Sequence, residues 1–356
     1  MKVTLYRDLP TERWQSMERY ADELFRALRA RECDVAAYVL PRPLPRLRGA
    51  ANTLANYAWR SLAYPLAARA HQADLNHILD HSYAHLIYAL DARRTLVTCH
   101  DLAPRALNEG RGVARWLWEH SVRAMWRAAH IITDSEFTRA EILRYTAYPG
   151  ERISVVPLAV GAEFFEPCDA DVRAHHQLGD RKIILHVGSC APRKNIETIL
   201  HALAARADGV VVQIGGRFTA AHTALIAALG LRARTLQIPA VDETELRAWY
   251  RAADVFVFPS LYEGFGLPIL EAMASGAPVI CAHATALPEI ARDAALMGEP
   301  RNATQLARNI ARVLDDPALA HDLRARGVAR ARQFTWERTA RAMLAVYEKI
   351  AQLTFC

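Results

Sequence analysis

Along the chain, short runs of β-branched and aromatic residues alternate with longer segments in which apolar residues recur every three or four positions. Val3–Tyr6, Val35–Leu40, Thr95–Thr98, Ile131–Thr133 and Ile153–Val156 read as strands in the first half. Lys182–Val187, Val210–Ile214, Thr235–Ile238, Val255–Phe258 and Pro278–Cys281 read as strands in the second. The intervening segments carry a helical stripe, as Tyr20, Leu24, Ala27 and Leu28 do after the first strand. Strands alternating with helices predict parallel sheets with helices on their faces, assembled from right-handed βαβ units. Ile183-Ile184-Leu185 and Val255-Phe256-Val257-Phe258 are apolar without interruption, as expected of strands covered on both faces.

The pattern breaks between Pro157 and Arg181, where residues 166–180 hold Pro167, several acids and His175-His176 but no strand period. This predicts a first domain over 1–165, a linker over 166–180 and a second domain over 181–336. The last segment, 337–356, carries Ala340, Met343, Leu344, Tyr347 and Ile350 at helical spacing with no strand after it, and is expected to pack back on the first domain. The fold class is therefore α/β, with two Rossmann-like domains whose parallel sheets face one another across a cleft. In such sheets ligands bind at the carboxyl ends of the strands. A chain of 356 residues is long enough for each half to bury its own core.

Composition narrows the class. With 52% hydrophobic and 23% charged residues the chain is neither disordered nor fibrous. Six scattered cysteines form no C-x-x-C pair, so a disulfide framework or zinc site is not expected. Met1–Asp8 lacks an apolar leader core, and no stretch has the ~18 apolar residues of a spanning helix. These features point to a cytoplasmic protein. The net charge of +6 leans toward anionic partners, and among the basic residues only Lys2, Lys182, Lys194 and Lys349 are lysines. No motif supports nucleic-acid binding.

Two segments carry candidate chemistry. In the first, the strand Val255–Phe258 runs through Pro259-Ser260-Leu261-Tyr262-Glu263-Gly264-Phe265-Gly266-Leu267 into a helix with Pro268 in its first turn and Glu271 about one turn in. Gly264 and Gly266 let backbone approach a ligand, and the helix start offers N–H groups to an anion. Taken alone, Glu271 is equally a first-turn carboxylate and Glu263 a solvated loop acid. In the second, Gly188 and Ser189 follow the strand Lys182–Val187, and Arg193-Lys194 precede a helix starting near Asn195. That is a plausible cradle for a diphosphate, or else a basic surface loop. It is not a Walker A loop. Asp169-Ala170-Asp171 is formally a D-x-D sequence but lies in the expected linker rather than at a strand end, so no metal site is expected.

The order of these segments, with Leu287-Pro288-Glu289-Ile290, Ala252-Ala253-Asp254, Ser135-Glu136-Phe137-Thr138 and Val156-Pro157-Leu158-Ala159-Val160, resembles the family-4 retaining glycosyltransferases (glycosyl transferases group 1), enzymes of the GT-B fold. The resemblance implies transfer of a sugar from a GDP- or UDP-linked donor to a saccharide or lipid-linked acceptor, in cell-surface polysaccharide or glycolipid synthesis. It implies that Arg193 and Lys194 bind the donor diphosphate, Glu271 the nucleotide ribose and Glu263 the donor sugar. Gly188 and Ser189, with the amides of Phe265, Gly266 and Leu267, would line the donor site. His100, in Thr98-Cys99-His100-Asp101, resembles the first-domain histidine that reaches the transferred sugar, with Asp101 either orienting the imidazole or capping the next segment. No cofactor or metal is implied beyond the nucleotide sugar. The stretch 8–19 departs from the family by lacking its Gly-Gly loop; Ser16 would cap the following helix, and Arg13 or Arg19 would meet an anion. A nucleotide-sugar epimerase and a non-catalytic nucleotide-sugar-binding subunit are the alternative readings.

From Val35 to Ala73 there is no acid, whereas Arg42, Arg46, Arg48, Arg60 and Arg69 are interleaved with Tyr57, Trp59 and Tyr64. This stretch is either an ordinary loop and helix or a peripheral dock on anionic lipid at the inner face of the cytoplasmic membrane. Trp116, Trp118 and Trp126, with Arg115, Arg123 and Arg127, could form an acceptor pocket, but they are expected to pack in the core.

Overall fold

Each of the ten runs read as a strand forms one, with ends shifted by no more than two residues. The computed structural model describes residues 1–10, 15–41, 55–108, 112–206 and 208–355. Among these, two further strands appear that the pattern did not reveal, Leu75–Ile78 and Ala295–Gly298. In chain order the strands are β1 Lys2–Tyr6, β2 Asp34–Tyr38, β3 Leu75–Ile78, β4 Thr95–Cys99, β5 His130–Thr133 and β6 Ile153–Val155, then β7 Ile183–Val187, β8 Val210–Ile214, β9 Thr235–Ile238, β10 Val255–Phe258, β11 Val279–Ala282 and β12 Ala295–Gly298. They make two six-stranded sheets, β2-β1-β3-β4-β5-β6 and β12-β11-β10-β7-β8-β9, with parallel pairing throughout.

The chain divides into two compact units, Met1–Leu158 with Trp336–Cys356, and Ala159–Thr335. In the first, Ile78, Val97 and Ile131 from three neighbouring strands share a core with Leu86, Val122 and Ile142 of the covering helices. In the second, Ile184, Val211, Val257 and Ile280 pack on Ile199, Leu203 and Ile310. Residues 159–180, including the segment read as a linker, fold onto the second unit. Phe164 is buried against Tyr250, and Arg173 reaches Asp254 at 2.6 Å. Asp171 of the D-x-D sequence caps the short helix Val172–His175 by accepting from the Ala174 N–H.

The helix Trp336–Phe355 belongs to the first unit. Its stripe of Ala340, Met343, Tyr347 and Ile350 is buried, as its spacing requires. The Tyr347 hydroxyl meets His77 Nδ1 at 2.7 Å, while His77 Nε2 meets Thr98 Oγ1 at 2.7 Å. Burial holds His77 neutral, with its pKa lowered to about 3. The helix Gln15–Arg29 begins one residue before Ser16, so Ser16 lies inside it and is not its cap. Arg13 lies outside the described residues, as do Arg42, Arg46 and Arg48.

Candidate functional site

In the second sheet β7 is flanked by β8 on one side and β10 on the other. The connection after β7 runs to β8 and that after β10 to β11, so the two loops diverge from the β7–β10 boundary. Such a switch point leaves a crevice at the carboxyl ends of the strands. The loop after β7 carries Arg193 and Lys194, and the loop after β10 carries Glu263. Sequence separation of about seventy residues is thereby reduced to contact. Lys194 Nζ lies 2.5 Å from Glu263 Oε1, and Arg193 Nη1 lies 3.4 Å from Glu263 Oε2.

The two loops are tied together beneath this pair. The Leu261 N–H donates to the Arg193 carbonyl at 2.7 Å, and Arg193 Nη1 donates to the Tyr262 carbonyl at 3.3 Å. Asn195 adopts a left-handed backbone, φ 58°, which ends the short turn Pro192–Lys194 and starts the helix Ile196–Ala204. Its side-chain amide donates to the carbonyls of Pro259 and Pro300 at 3.0 and 2.6 Å. Lys194 is 7% exposed and Glu263 8%, so neither is a solvated loop residue. The Lys194 ammonium also sits 4.8 Å from the centre of the Phe258 ring. Burial works against the charge on Glu263, but Lys194 and Arg193 outweigh it and hold the carboxyl below its ordinary pKa.

Backbone approach is built in at two glycines. Gly188, φ 150°, has the Lys194 side chain 3.5 Å from where a β-carbon would stand, and Gly266, φ 110°, has Leu287 Cδ2 at 2.8 Å. Gly266 precedes the helix Leu267–Ala274, whose Pro268 occupies the first turn. Glu271 in that helix is buried and accepts from the Tyr250 hydroxyl at 2.9 Å. Phe265 is buried with its ring 5.9 Å from Phe334, Leu267 is half-buried and Ser189 is exposed.

His100 stands in the first unit, just beyond β4. The β4–β5 register pairs Cys99 with Thr133, so the next residues, His100 and Asp134, leave the sheet side by side. His100 Nδ1 lies 2.6 Å from Asp134 Oδ2, and Nε2 lies 2.9 Å from the Leu79 carbonyl. Burial disfavours the imidazolium, but the Asp134 carboxylate, with Asp80 behind it, raises the pKa to about 10. Asp101 does not orient this ring; its carboxylate accepts from the Ala103 N–H and caps the next turn.

The structure thus brings Arg193, Lys194 and Glu263 into one cluster, places Glu271 against Tyr250 and gives His100 its own carboxylate partner. Sequence reasoning missed Asp134, Asn195 and Tyr250. Asp134 carried no signal in the sequence, because only the pairing of β4 with β5 sets it beside His100. Tyr64, in the stretch read as either an ordinary loop and helix or a lipid dock, is a core residue whose hydroxyl donates to the Arg7 carbonyl at 2.6 Å. Trp118 and Trp126 pack against the core as expected, but Trp116 is 62% exposed.

The family described as Glycosyltransferase Family 4 matches residues 17–164, and the family described as Glycosyl transferases group 1 matches residues 169–332. The chain is 32% identical over 278 residues to an O-antigen chain mannosyltransferase B of Escherichia coli, covering 72% of this chain and 70% of that one. It is 33% identical over 255 residues to an MMP alpha-(1->4)-mannosyltransferase of Mycolicibacterium hassiacum, covering 68% and 60%. Its fold is that of Anabaena Alr3699/HepE, solved in complex with UDP-glucose, with a TM-score of 0.76 and 18% identity over 99% of both chains. With two family matches that together span residues 17–332, a relative 32% identical over 72% of its length and a matched fold, the chain belongs to the family-4 glycosyltransferases, α/β enzymes of the GT-B fold.

Proposed function

We propose that this glycosyltransferase moves a mannosyl group from a nucleoside diphosphate donor, GDP- or UDP-linked, to a saccharide or lipid-linked acceptor hydroxyl with retention at the anomeric carbon. The observation that carries the reading is the Lys194–Glu263–Arg193 cluster at the switch point of the second sheet. Two cations fixed there match the charge of a departing diphosphate, and preorganised charge of this kind is a large source of catalysis. The mannosyl assignment draws on the two mannosyltransferases to which the chain is similar.

In the proposed step the bond between the anomeric carbon and the diphosphate oxygen breaks, and its electron pair stays on the diphosphate. The acceptor oxygen bonds the anomeric carbon from the same face, and its proton passes to the departing diphosphate oxygen. Arg193 and Lys194 turn from Glu263 toward the phosphates, Glu263 contacts the donor sugar and Glu271 holds the ribose. Gly188, Ser189 and the Phe265, Gly266 and Leu267 amides line the donor, and His100 acts on the transferred sugar. Because the cations supply the charge, the reaction needs no divalent metal. Incubating the enzyme with GDP-mannose and short mannosides in EDTA tests this. An α-linked product by proton NMR supports the reading, and a β-linked product or an EDTA-abolished turnover contradicts it.

No helix among the described residues is long and apolar enough to cross a membrane. Peripheral docking on anionic lipid is supported by exposed groups of the first unit. Leu62 and Leu66 are 66% and 74% exposed. Trp116 stacks on His120 at 5.5 Å, His120 lies 5.3 Å from Tyr88, and Arg127 covers Tyr88 at 5.4 Å. Leu66 lies on the helix Tyr64–Ala68 and Trp116 and His120 on Gly112–Met125, and both helices pack on the short helix His81–Tyr88. Exposed apolar groups beside arginines suit an anionic interface. The chain should co-sediment with phosphatidylglycerol vesicles in low salt and be released as salt rises. Equal recovery on neutral vesicles would count against the dock.

A further inference from the structure

We propose that Asp134 is a positioning residue that keeps His100 a doubly protonated imidazolium with both ring nitrogens committed as donors, so that His100 serves the reaction as a fixed cation and not as a base. The inference rests on the reading that His100 acts in glycosyl transfer, and it adds to that reading the charge state and the residue that sets it.

The geometry argues it from both ends of the ring. Nδ1 faces a carboxylate oxygen at 2.6 Å and Nε2 faces the Leu79 carbonyl at 2.9 Å. Both partners are acceptors, so each nitrogen must carry a proton to make its hydrogen bond. A neutral ring would turn one lone pair toward an acceptor oxygen and lose that bond. The same count excludes a base, which needs an unprotonated nitrogen aimed at the acceptor.

Asp134 supplies the second half of the argument. It is 2% exposed, and the ion partner of its carboxylate among the described residues is His100. A buried carboxylate without a countercharge is costly, and neutralisation by His100 removes that cost. Asp134 Oδ1 has no hydrogen-bond partner among the described residues, which concentrates the pairing on the Oδ2 contact.

The neighbours around the ring agree in sign. Asp80, 5% exposed, adds a second carboxylate at the end of β3 and favours the cation. His81 follows Asp80, with Nδ1 3.8 Å from its Oδ1, and His77, held neutral, lies on β3. The ring of Tyr20 is T-shaped to the imidazole at 5.0 Å, and burial and the two carboxylates keep its phenol protonated. Cys99, beside His100, is a buried thiol whose pKa is pushed up by burial and by Asp101, Asp80 and Asp134. Among the described residues, the charges that bear on the ring are the Asp134 and Asp80 carboxylates, and both favour its protonation. The Thr138 hydroxyl donates to the His100 carbonyl at 3.3 Å and fixes its backbone.

The test reads the ring directly. Nitrogen-15 NMR of the wild-type enzyme at pH 8.5, with His100 assigned through His100→Gln, should show both ring nitrogens protonated. A neutral His100 at that pH overturns the proposal without recourse to any variant. In Asp134→Asn the ring should titrate at or below about pH 6.5, the ordinary histidine value. Turnover of this variant on GDP-mannose should then fall roughly tenfold per pH unit above pH 6.5, while the wild type stays level to pH 8.5. A variant profile parallel to the wild type overturns the proposal. If the imidazolium is present but His100→Gln turns over normally, the pairing stands and the role of His100 in transfer fails, which separates the two claims.

Discussion

A lysine and a glutamate 2.5 Å apart and both nearly buried are held by mutual need. Removing the lysine leaves Glu263 with the more distant Arg193 as its remaining ion partner among the described residues, and a buried charge that loses its partner typically costs about 3–5 kcal/mol. Lys194→Ala should therefore lower stability by roughly 3 kcal/mol in denaturant titration and lower turnover by about 100-fold or more, the loss usual for one preorganised charge-stabilising group. A variant with near-normal turnover would remove the phosphate role. Gly266→Ala should cost about 1–3 kcal/mol, because φ 110° is closed to alanine. That Arg193, Lys194 and Glu263 follow apolar strands was readable in the sequence, and the roles expected of them came from the family resemblance. The roles of Asp134 and Asn195 were not readable, because they depend on which strands and loops become neighbours. Asp134 means nothing until β5 is known to lie beside β4, and Asn195 marks only a helix start until its amide is seen bridging Pro259 and Pro300.

At the level of elements, the strands with uninterrupted apolar or β-branched runs were legible and two others were not. β3 reads Leu-Asn-His-Ile, and its polar residues break the pattern although both are fully buried. His77 bonds Tyr347 and Thr98, and the Asn76 side-chain oxygen accepts from the Tyr6 hydroxyl at 3.4 Å and the Ala73 N–H at 3.3 Å, while its amide nitrogen has no partner among the described residues. β12, Ala-Leu-Met-Gly, lies at the sheet edge and has little strand propensity of its own. The bond from Tyr347 to His77 fastens the C-terminal helix to the first sheet. Tyr347→Phe leaves the His77 nitrogen without that partner and should cost about 1–3 kcal/mol. Earlier amide exchange along Trp336–Phe355, relative to the rest of the first unit, would locate the loss in that helix; unchanged exchange would show that the apolar stripe alone holds it.

At the scale of the whole molecule, four buried histidines among the described residues resist protonation. Burial is the leading cause at each, with pKa values lowered to about 3 at His77 and His186 and about 4 at His85 and His130. The unfolded chain takes up these protons near pH 6.5, whereas the folded chain does not until pH 3–4. Their neutral forms therefore cost nothing above pH 6.5, and stability declines as pH falls below it, by about 1.4 kcal/mol per pH unit for a fully buried histidine. His100 runs the other way: its pairing is fully present below pH 6.5 and is lost as pH rises toward 10. Thermal midpoints measured from pH 4.5 to 9 should peak near neutrality, and His77→Gln should flatten the acid side.

The central claim, a nucleoside diphosphate sugar held by Arg193 and Lys194, is tested most directly by nucleotide binding. The midpoint should be followed with UDP, GDP, ADP and dTDP, in EDTA and without it, for the wild type and Lys194→Ala. A ligand present at 100 times its dissociation constant adds about 2.7 kcal/mol to the folded state. The account predicts one diphosphate that stabilises the wild type equally with and without EDTA and stabilises Lys194→Ala far less. Stabilisation that vanishes in EDTA, or that survives unchanged in Lys194→Ala, would contradict it.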